Sequence, residues 1–302
     1  MISLEERLKD IFCPVFCPMI TPTDGDGHVD ENSMRKLVRR LLQHGIQGLV
    51  VMGSSGELQA ISDEEKKKTF QIVIDEVKGK VPVVMGGGDT DVKRAIKNIK
   101  MAEQQGADAV LAVPPYYFSL SQEGVKNYFM ELAQTGVPIL LYNIPQFTKV
   151  RIEPDTVIAL SQIDGIIGIK DSSRDVEYIQ NIVFACKGND TFRVFIGTEG
   201  LLLVGLAIGV RGIIGVTPNV APSWNLELVE AYKGGNLIKA REIQQKIGQL
   251  LEALRMGIFP AGLKAAAALL GICNPKMWKP ATELSKVETD LVKHKLNKLG
   301  IL

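Results

Sequence analysis

The chain has 302 residues, 46% hydrophobic and 23% charged, with a formal net charge of +1; this is the balance of a globular enzyme, not of a disordered or fibrous chain. No basic stripe or acidic tail is present, which argues against nucleic acid or an anionic membrane as a partner. The opening MISLEERLKD is too charged for a signal-peptide core, and the longest apolar stretch, 201–210, ends at Arg211, short of the roughly 20 residues that span a bilayer.

In chain order, eight short apolar, β-branched runs read as strands: 15–20, 48–52, 81–85, 109–113, 138–142, 165–169, 193–196 and 212–216. Each is nearly continuous instead of alternating, as in parallel strands buried on both faces. Amphipathic helical segments separate them at the spacing of βα units. Asp30 is placed to cap a helix over 33–44 that Gly45 ends, and Ser62-Asp63-Glu64-Glu65 has the form of a capping box before 66–77. Gly106 and Gly136 end later helices in the same way. Eight strand–helix alternations, with no Gly-x-Gly-x-x-Gly after any strand, predict a closed (β/α)8 barrel over residues 1–222 and not an open doubly wound sheet. Beyond Pro222 the strands stop. Segments 224–232, 237–255, 261–270 and 287–299 read as helices, punctuated by Pro260, Pro275 and Pro280, and predict a C-terminal helical extension over 223–302 packed on the barrel.

Four cysteines show no disulfide framework. Cys13 and Cys17 have the spacing of a metal-ligand pair, but no Cys or His cluster answers them, and His28, His44 and His294 are scattered. The expectation is free thiols, a cytoplasmic protein, and no metal or other cofactor.

Barrel chemistry sits at the C-terminal ends of the strands. Those ends carry Gly53-Ser54-Ser55-Gly56-Glu57, Pro114-Pro115-Tyr116-Tyr117, Tyr142-Asn143-Ile144-Pro145, Gly168-Ile169-Lys170-Asp171-Ser172 and Gly197-Thr198-Glu199. Lys170 directly follows an apolar run. A partly desolvated amine there is a candidate nucleophile; the alternative is a lysine paired with Asp171 or another carboxylate. Tyr142, one strand over, is placed to carry protons, or else is an aromatic plug. The Gly53–Glu57 turn offers backbone N–H groups and two hydroxyls to a small anion, with Glu57 read as a buried loop anchor and not an acid catalyst. Tyr116 and Tyr117 read as packing residues unless an oligomer brings one to a site.

Taken together and in this order, Gly-Ser-Ser-Gly-Glu (53–57), Pro-Tyr-Tyr (115–117), Tyr-Asn-Ile-Pro (142–145), Gly-Ile-Lys-Asp-Ser (168–172) and Gly-Val-Thr-Pro-Asn-Val (215–220) resemble the dihydrodipicolinate synthase and N-acetylneuraminate lyase family, from about residue 15 to 270. The resemblance implies a class I aldolase in which Lys170 forms an imine with pyruvate or a pyruvyl substrate, without metal. It implies Tyr142 as proton shuttle, Ser54 and Ser55 as the hydroxyl pair that holds the carboxylate and relays protons, and Ile214 as the strand-eight residue whose backbone faces pyruvate. Ser172, Gly197 and Glu199 complete the implied substrate-binding set. Tyr117 matches a tyrosine inserted into a neighbouring subunit's site, which implies a dimer or tetramer.

Two departures bear on the substrate. Where the synthases carry an arginine shortly after Tyr-Asn-x-Pro, this chain has Phe147, with Arg151 four residues further on. Where sialic acid lyases carry consecutive acids, Glu199 is followed by Gly200. These departures point to a lyase that splits a 2-keto-3-deoxy sugar acid or 4-hydroxy-2-oxoglutarate into pyruvate and an aldehyde. The runner-up is the synthase that condenses pyruvate with aspartate semialdehyde. A non-catalytic binding barrel would be marked by loss of the lysine or tyrosine, and both are present.

Overall fold

The computed structural model describes residues 14–302. Eight parallel strands close into a barrel in chain order: β1 (Val15–Pro18), β2 (Gly48–Val51), β3 (Val83–Gly86), β4 (Ala109–Ala112), β5 (Ile139–Asn143), β6 (Ile166–Asp171), β7 (Arg193–Ile196) and β8 (Gly212–Ile214). Every residue of these strands but Arg193 is buried, which is why their sequences run apolar without alternation. The predicted (β/α)8 barrel is therefore the fold. Cys13 lies outside the described residues. Its suggested partner, Cys17, is buried on β1. Among the described residues no group of three or more His, Cys, Asp or Glu side chains is arranged to hold a metal ion, and no helix is long and apolar enough to cross a membrane.

The described residues fall into two compact units. The first includes Pro82–Ile214 and carries β3 to β8 with helices α3 (Val92–Gln104), α4 (Gln122–Ala133), α5 (Pro145–Thr148), α6 (Pro154–Leu160), α7 (Val176–Ala185) and α8 (Leu202–Ile208). The second joins Val15–Val81 to Gly215–Leu302. It holds β1, β2, α1 (Glu31–Gln43), α2 (Asp63–Val77) and four C-terminal helices, α9 (Pro222–Lys233), α10 (Leu237–Leu254), α11 (Ala261–Leu269) and α12 (Lys286–Lys298). Within it α9 packs on α10, and α12 packs on both α10 and α11.

Local signals explain most helix ends. The Asp30 carboxylate accepts from Ser33 N at 3.1 Å and caps α1, and Gly45 follows with φ 76°, a conformation that glycine adopts without strain. Ser62 caps α2 by accepting from Glu65 N. The capping box expected there does not close. The Glu65 carboxylate instead accepts from Val29 N at 2.7 Å, a buried bond to a segment far away in sequence, which satisfies a donor that helix capping would have left alone. The reciprocal box is found at α12, between Ser285 and Glu288.

Two strands run further than expected. β5 extends to Asn143 and β6 to Asp171, because their polar ends keep pairing: Tyr142 lies opposite Lys170, and Asn143 opposite Asp171. Lys170 is thus inside a strand and not in the loop beyond it. This register depends on an irregularity near the start of the pair. Ile139 faces Ile166, but Leu140 faces Gly168, so β6 carries one extra residue. Continued without that bulge, the same pairing would set Tyr142 against Ile169 and Asn143 against Lys170. Gly168 follows the bulge, and its lack of a side chain lets β6 lie close to β7, since a Cβ there would run into the Arg193 carbonyl oxygen.

Candidate active site

In the first unit the strand ends bring together Lys170, Tyr142, Ser172 and Gly197. Lys170 is only 4% exposed, and its Nζ lies over the Tyr142 ring, 4.1 Å from the centroid. Tyr142 is buried as well. An amine against an aromatic face is held without a counter-carboxylate. The Asp171 carboxylate, one partner considered for Lys170, is engaged elsewhere. Its Oδ1 accepts from Asn143 Nδ2 at 2.7 Å, and its Oδ2 accepts from Ser173 Oγ at 2.8 Å and Ser173 N at 3.2 Å. Burial pushes the Asp171 carboxyl up to about 6, against the pull of the Asn143 and Ser173 hydrogen bonds.

Gly197 follows β7, and its N–H donates to Asp171 O at 2.6 Å. A Cβ there would lie 2.9 Å from Lys170 Cε and would overlap Ser172 Oγ. The missing side chain is the space that the Lys170 side chain uses. Ser172 is buried; its N–H donates to Asn143 O at 2.8 Å, and its carbonyl accepts from Gln146 Nε2 at 3.1 Å. Glu199 and Ile214 are both buried, one in the turn after β7 and the other ending β8.

Tyr117 is not drawn into this cluster. It is 81% exposed, has φ 83°, and packs edge-on against the exposed Phe118 ring at 4.8 Å. Phe147 is half exposed on α5. Arg151 is committed: Nη2 donates to Asp175 at 2.9 Å, Nε lies 3.4 Å from Glu153, and the guanidinium stacks over Tyr178 at 4.6 Å.

In the second unit Ser54–Gly56 form a 3-10 turn that ends at Glu57 in the left-handed conformation, φ 57°. Ser55 is buried and its hydroxyl donates to Pro18 O at 3.0 Å. Ser54 is half-buried. Glu57 anchors the loop, as expected. Its carboxylate pairs with Lys264 and accepts from Trp278 N at 3.0 Å, while Lys264 also donates to Lys276 O at 2.9 Å. Burial pushes the Glu57 carboxyl up and the Lys264 amine down, and their mutual attraction opposes both shifts.

Three participants escaped the sequence reading. Lys264 had a signal: it is the one charge in AGLKAAAAL, and a helix apolar on all sides is buried, so its charge needs a partner. Gly168 had a weaker one, as a glycine inside a strand pattern. The Asn143–Asp171 pairing had none. Removal of one member of a buried ion pair costs about 3–5 kcal/mol. Lys264→Met should therefore lower the melting temperature by roughly 10 °C near pH 8, on about 2–4 °C per kcal/mol for a chain of this order of size. The loss should shrink towards pH 5. With Lys264 gone, the folded-state pKa of Glu57 stays above its unfolded value, so the penalty grows as pH rises through that window. Thermal melts at the two pH values check both size and sign.

A family model, "Dihydrodipicolinate synthetase family", matches residues 12–299. The chain is 37% identical over 291 residues to the 4-hydroxy-tetrahydrodipicolinate synthase of Methanopyrus kandleri, covering 95% of this chain and 96% of that one. Among solved structures it is similar to the dihydrodipicolinate synthase of Thermotoga maritima, with a TM-score of 0.93 at 32% identity, covering 96% and 99% of the two chains. It is similar in the same degree to YagE, a prophage protein of the dihydrodipicolinic acid synthase family from E. coli K12 solved in complex with pyruvate. There the TM-score is 0.93 at 29% identity, over 97% and 100% of the chains.

Proposed function

The chain belongs to the dihydrodipicolinate synthetase family and is a class I aldolase-type lyase that works through a lysine imine; from that premise we propose that Lys170 is the lysine and pyruvate the 2-oxo acid. The observation that carries the assignment is a buried amine set on the Tyr142 ring, beside an Asp171 carboxylate that Asn143 and Ser173 take up instead.

The steps follow from the groups present. The Lys170 amine gives up a proton and adds to C2 of pyruvate, the carbinolamine loses water, and a protonated imine forms, which acts as an electron sink. Loss of a C3 proton leaves an enamine. In condensation, C3 attacks the aldehyde carbon and the new alkoxide takes a proton. In cleavage, the imine forms with the 2-oxo-4-hydroxy acid, its C4 hydroxyl loses its proton, the C3–C4 bond breaks to release the aldehyde and leave the same enamine, and C3 takes a proton to give the pyruvate imine. Water then hydrolyses the imine and frees Lys170. Tyr142 is the proton carrier in this reading. Tyr142→Phe should still bind pyruvate, with kcat reduced by about 10²–10⁴-fold, the range of general acid–base contributions. Steady-state kinetics check this, and an unchanged kcat would give the proton transfer to another group.

For the second substrate, the names of the relatives favour aspartate semialdehyde: those at 32–37% identity are called 4-hydroxy-tetrahydrodipicolinate synthase. This supports the synthase better than the sugar-acid cleavage expected from the sequence. One observation favours the cleavage reading. Phe147 offers no charge at the position implied for a carboxylate-binding arginine, and Arg151 is tied to Asp175 and Glu153. A charge-assisted hydrogen bond contributes about 1.5–3 kcal/mol, so its loss should lower kcat/KM for aspartate semialdehyde by roughly 10- to 100-fold. The deciding experiment compares kcat/KM for that condensation with kcat/KM for cleavage of 2-keto-3-deoxygluconate and 4-hydroxy-2-oxoglutarate. Faster condensation establishes the synthase; faster cleavage of either acid establishes the lyase.

The exposed Tyr117–Phe118 pair supports an oligomer in which a second copy covers it. Sedimentation at assay concentration should give a dimer or larger, and an active monomer would remove this part of the proposal.

A further inference from the structure

Two facing pairs share one stretch of the β5–β6 ladder. Tyr142 lies opposite Lys170, and the next residues, Asn143 and Asp171, lie opposite each other. Successive side chains leave opposite faces of a strand, so a slip of one residue would exchange the two faces. The Asn143–Asp171 face is turned to the α5–α6 connection, where Ile152 N donates to Asn143 Oδ1 at 3.1 Å. Ile152 is itself fixed, since its carbonyl accepts from the buried Tyr178 hydroxyl at 2.6 Å. Asn143 and Asp171 are 0% and 1% exposed, and each side-chain hydrogen bond that they make runs to a protein group: Asn143 bridges Ile152 and Asp171, and Asp171 bridges Asn143 and Ser173.

We infer that Asn143 and Asp171 are positioning residues for the imine chemistry: their buried amide–carboxylate bond locks the register that sets Lys170 Nζ over the Tyr142 ring. This rests on the reading of Lys170 as the imine-forming lysine. Neither side chain reaches the reacting atoms; both act through the strand ends. The register needs such a lock because the bulge just before Gly168 has already broken the regular ladder below it.

The hydrogen-bond directions make the inference testable by exchange. In Asp171→Asn the new amide sets its N–H groups either against Asn143 Nδ2 or against the Ser173 N–H, donor against donor. In Asn143→Asp two carboxylates meet where the 2.7 Å bond was, and like charges there repel. In the double variant, Asn143→Asp combined with Asp171→Asn, every bond returns, with the polarity of the central one exchanged. The carboxylate now at position 143 accepts from Ile152 N and from the amide now at position 171, and the oxygen of that amide accepts from Ser173.

The experiment runs at pH 8, above the Asp171 value of about 6. It measures the rate of borohydride-trapped pyruvate adduct on Lys170, kcat, and KM for pyruvate. Each single variant should lose about 10- to 100-fold in trapping rate and kcat, the cost of misplacing a reacting group by an ångström or so, with KM changed far less. The double variant should recover to within about threefold of the original rate, a gap well inside one tenfold step of barrier height. A purely structural role would lower the melting temperature of the single variants and leave kcat per folded molecule unchanged, and that result overturns the inference. So does a double variant no faster than the slower single one. If a single variant does not fold, the double variant decides: recovery supports the pairing, and slow trapping or failure to fold overturns it. An unsubstituted protein that traps pyruvate on a different lysine would instead overturn the reading of Lys170.

Discussion

Lys170→Ala should fold, bind no trapped adduct and lose turnover. Removing the nucleophile of a covalent enzyme costs on the order of 10⁶-fold in kcat, because the imine that acts as the electron sink can no longer form. The fold should survive. The Lys170 amine rests on an aromatic ring, and the neighbouring Asp171 carboxylate keeps its bonds to Asn143 and Ser173 when the amine is removed. Borohydride reduction with pyruvate, followed by peptide mass mapping, is the measurement. The chain offers a sharp control in Lys264, a second lysine that is fully buried but has its amine held by Glu57 and the Lys276 carbonyl. An adduct on Lys264, or an adduct that persists in Lys170→Ala, would end the assignment.

Gly197→Ala should be nearly as damaging, although it adds a single methyl group. That methyl would sit 2.9 Å from Lys170 Cε and 3.0 Å from the Asp171 carbonyl oxygen, and would overlap Ser172 Oγ. Ser172 Oγ can rotate away; the backbone carbonyl cannot. Nor can Gly197 retreat cheaply, since its N–H bond to Asp171 O helps hold β7 to β6. The Lys170 side chain is therefore the part that moves, off the Tyr142 ring. Trapping rate and kcat/KM should fall by about 10²-fold or more. Overpacking of this kind costs about 1–3 kcal/mol, so the variant should stay folded with a modest loss in melting temperature. Circular dichroism, a thermal melt and the trapping assay separate the two effects. A folded alanine variant that traps pyruvate at the original rate would show that Gly197 does not shape the lysine's space.

The molecule divides into what neighbouring residues decide and what only distant ones can. Eight doubly buried strands read as eight continuous apolar runs because burial on both faces leaves no polar period, and that pattern alone implies a closed parallel barrel. Caps such as Asp30 and Ser62 are legible because a side chain meets backbone three residues away. Lys170 and Tyr142 stand out for a similar reason, as polar groups at the ends of apolar runs.

What could not be read locally is every pairing that depends on register or on a long return of the chain. Glu65 has the form of a capping residue, yet its carboxylate goes to Val29. Glu57 finds Lys264 and Trp278 more than two hundred residues on in the chain. The bulge just before Gly168, and not composition, decides that Lys170 opposes Tyr142 instead of Asn143. A strand's sequence specifies which of its residues alternate and how deeply they are buried. Which partner each one meets is set by how two strands slide against each other, and a one-residue slip leaves the apolar pattern of a strand buried on both faces unchanged. Sequence alone therefore determined the barrel and nominated its lysine, while only the folded chain decided what that lysine faces.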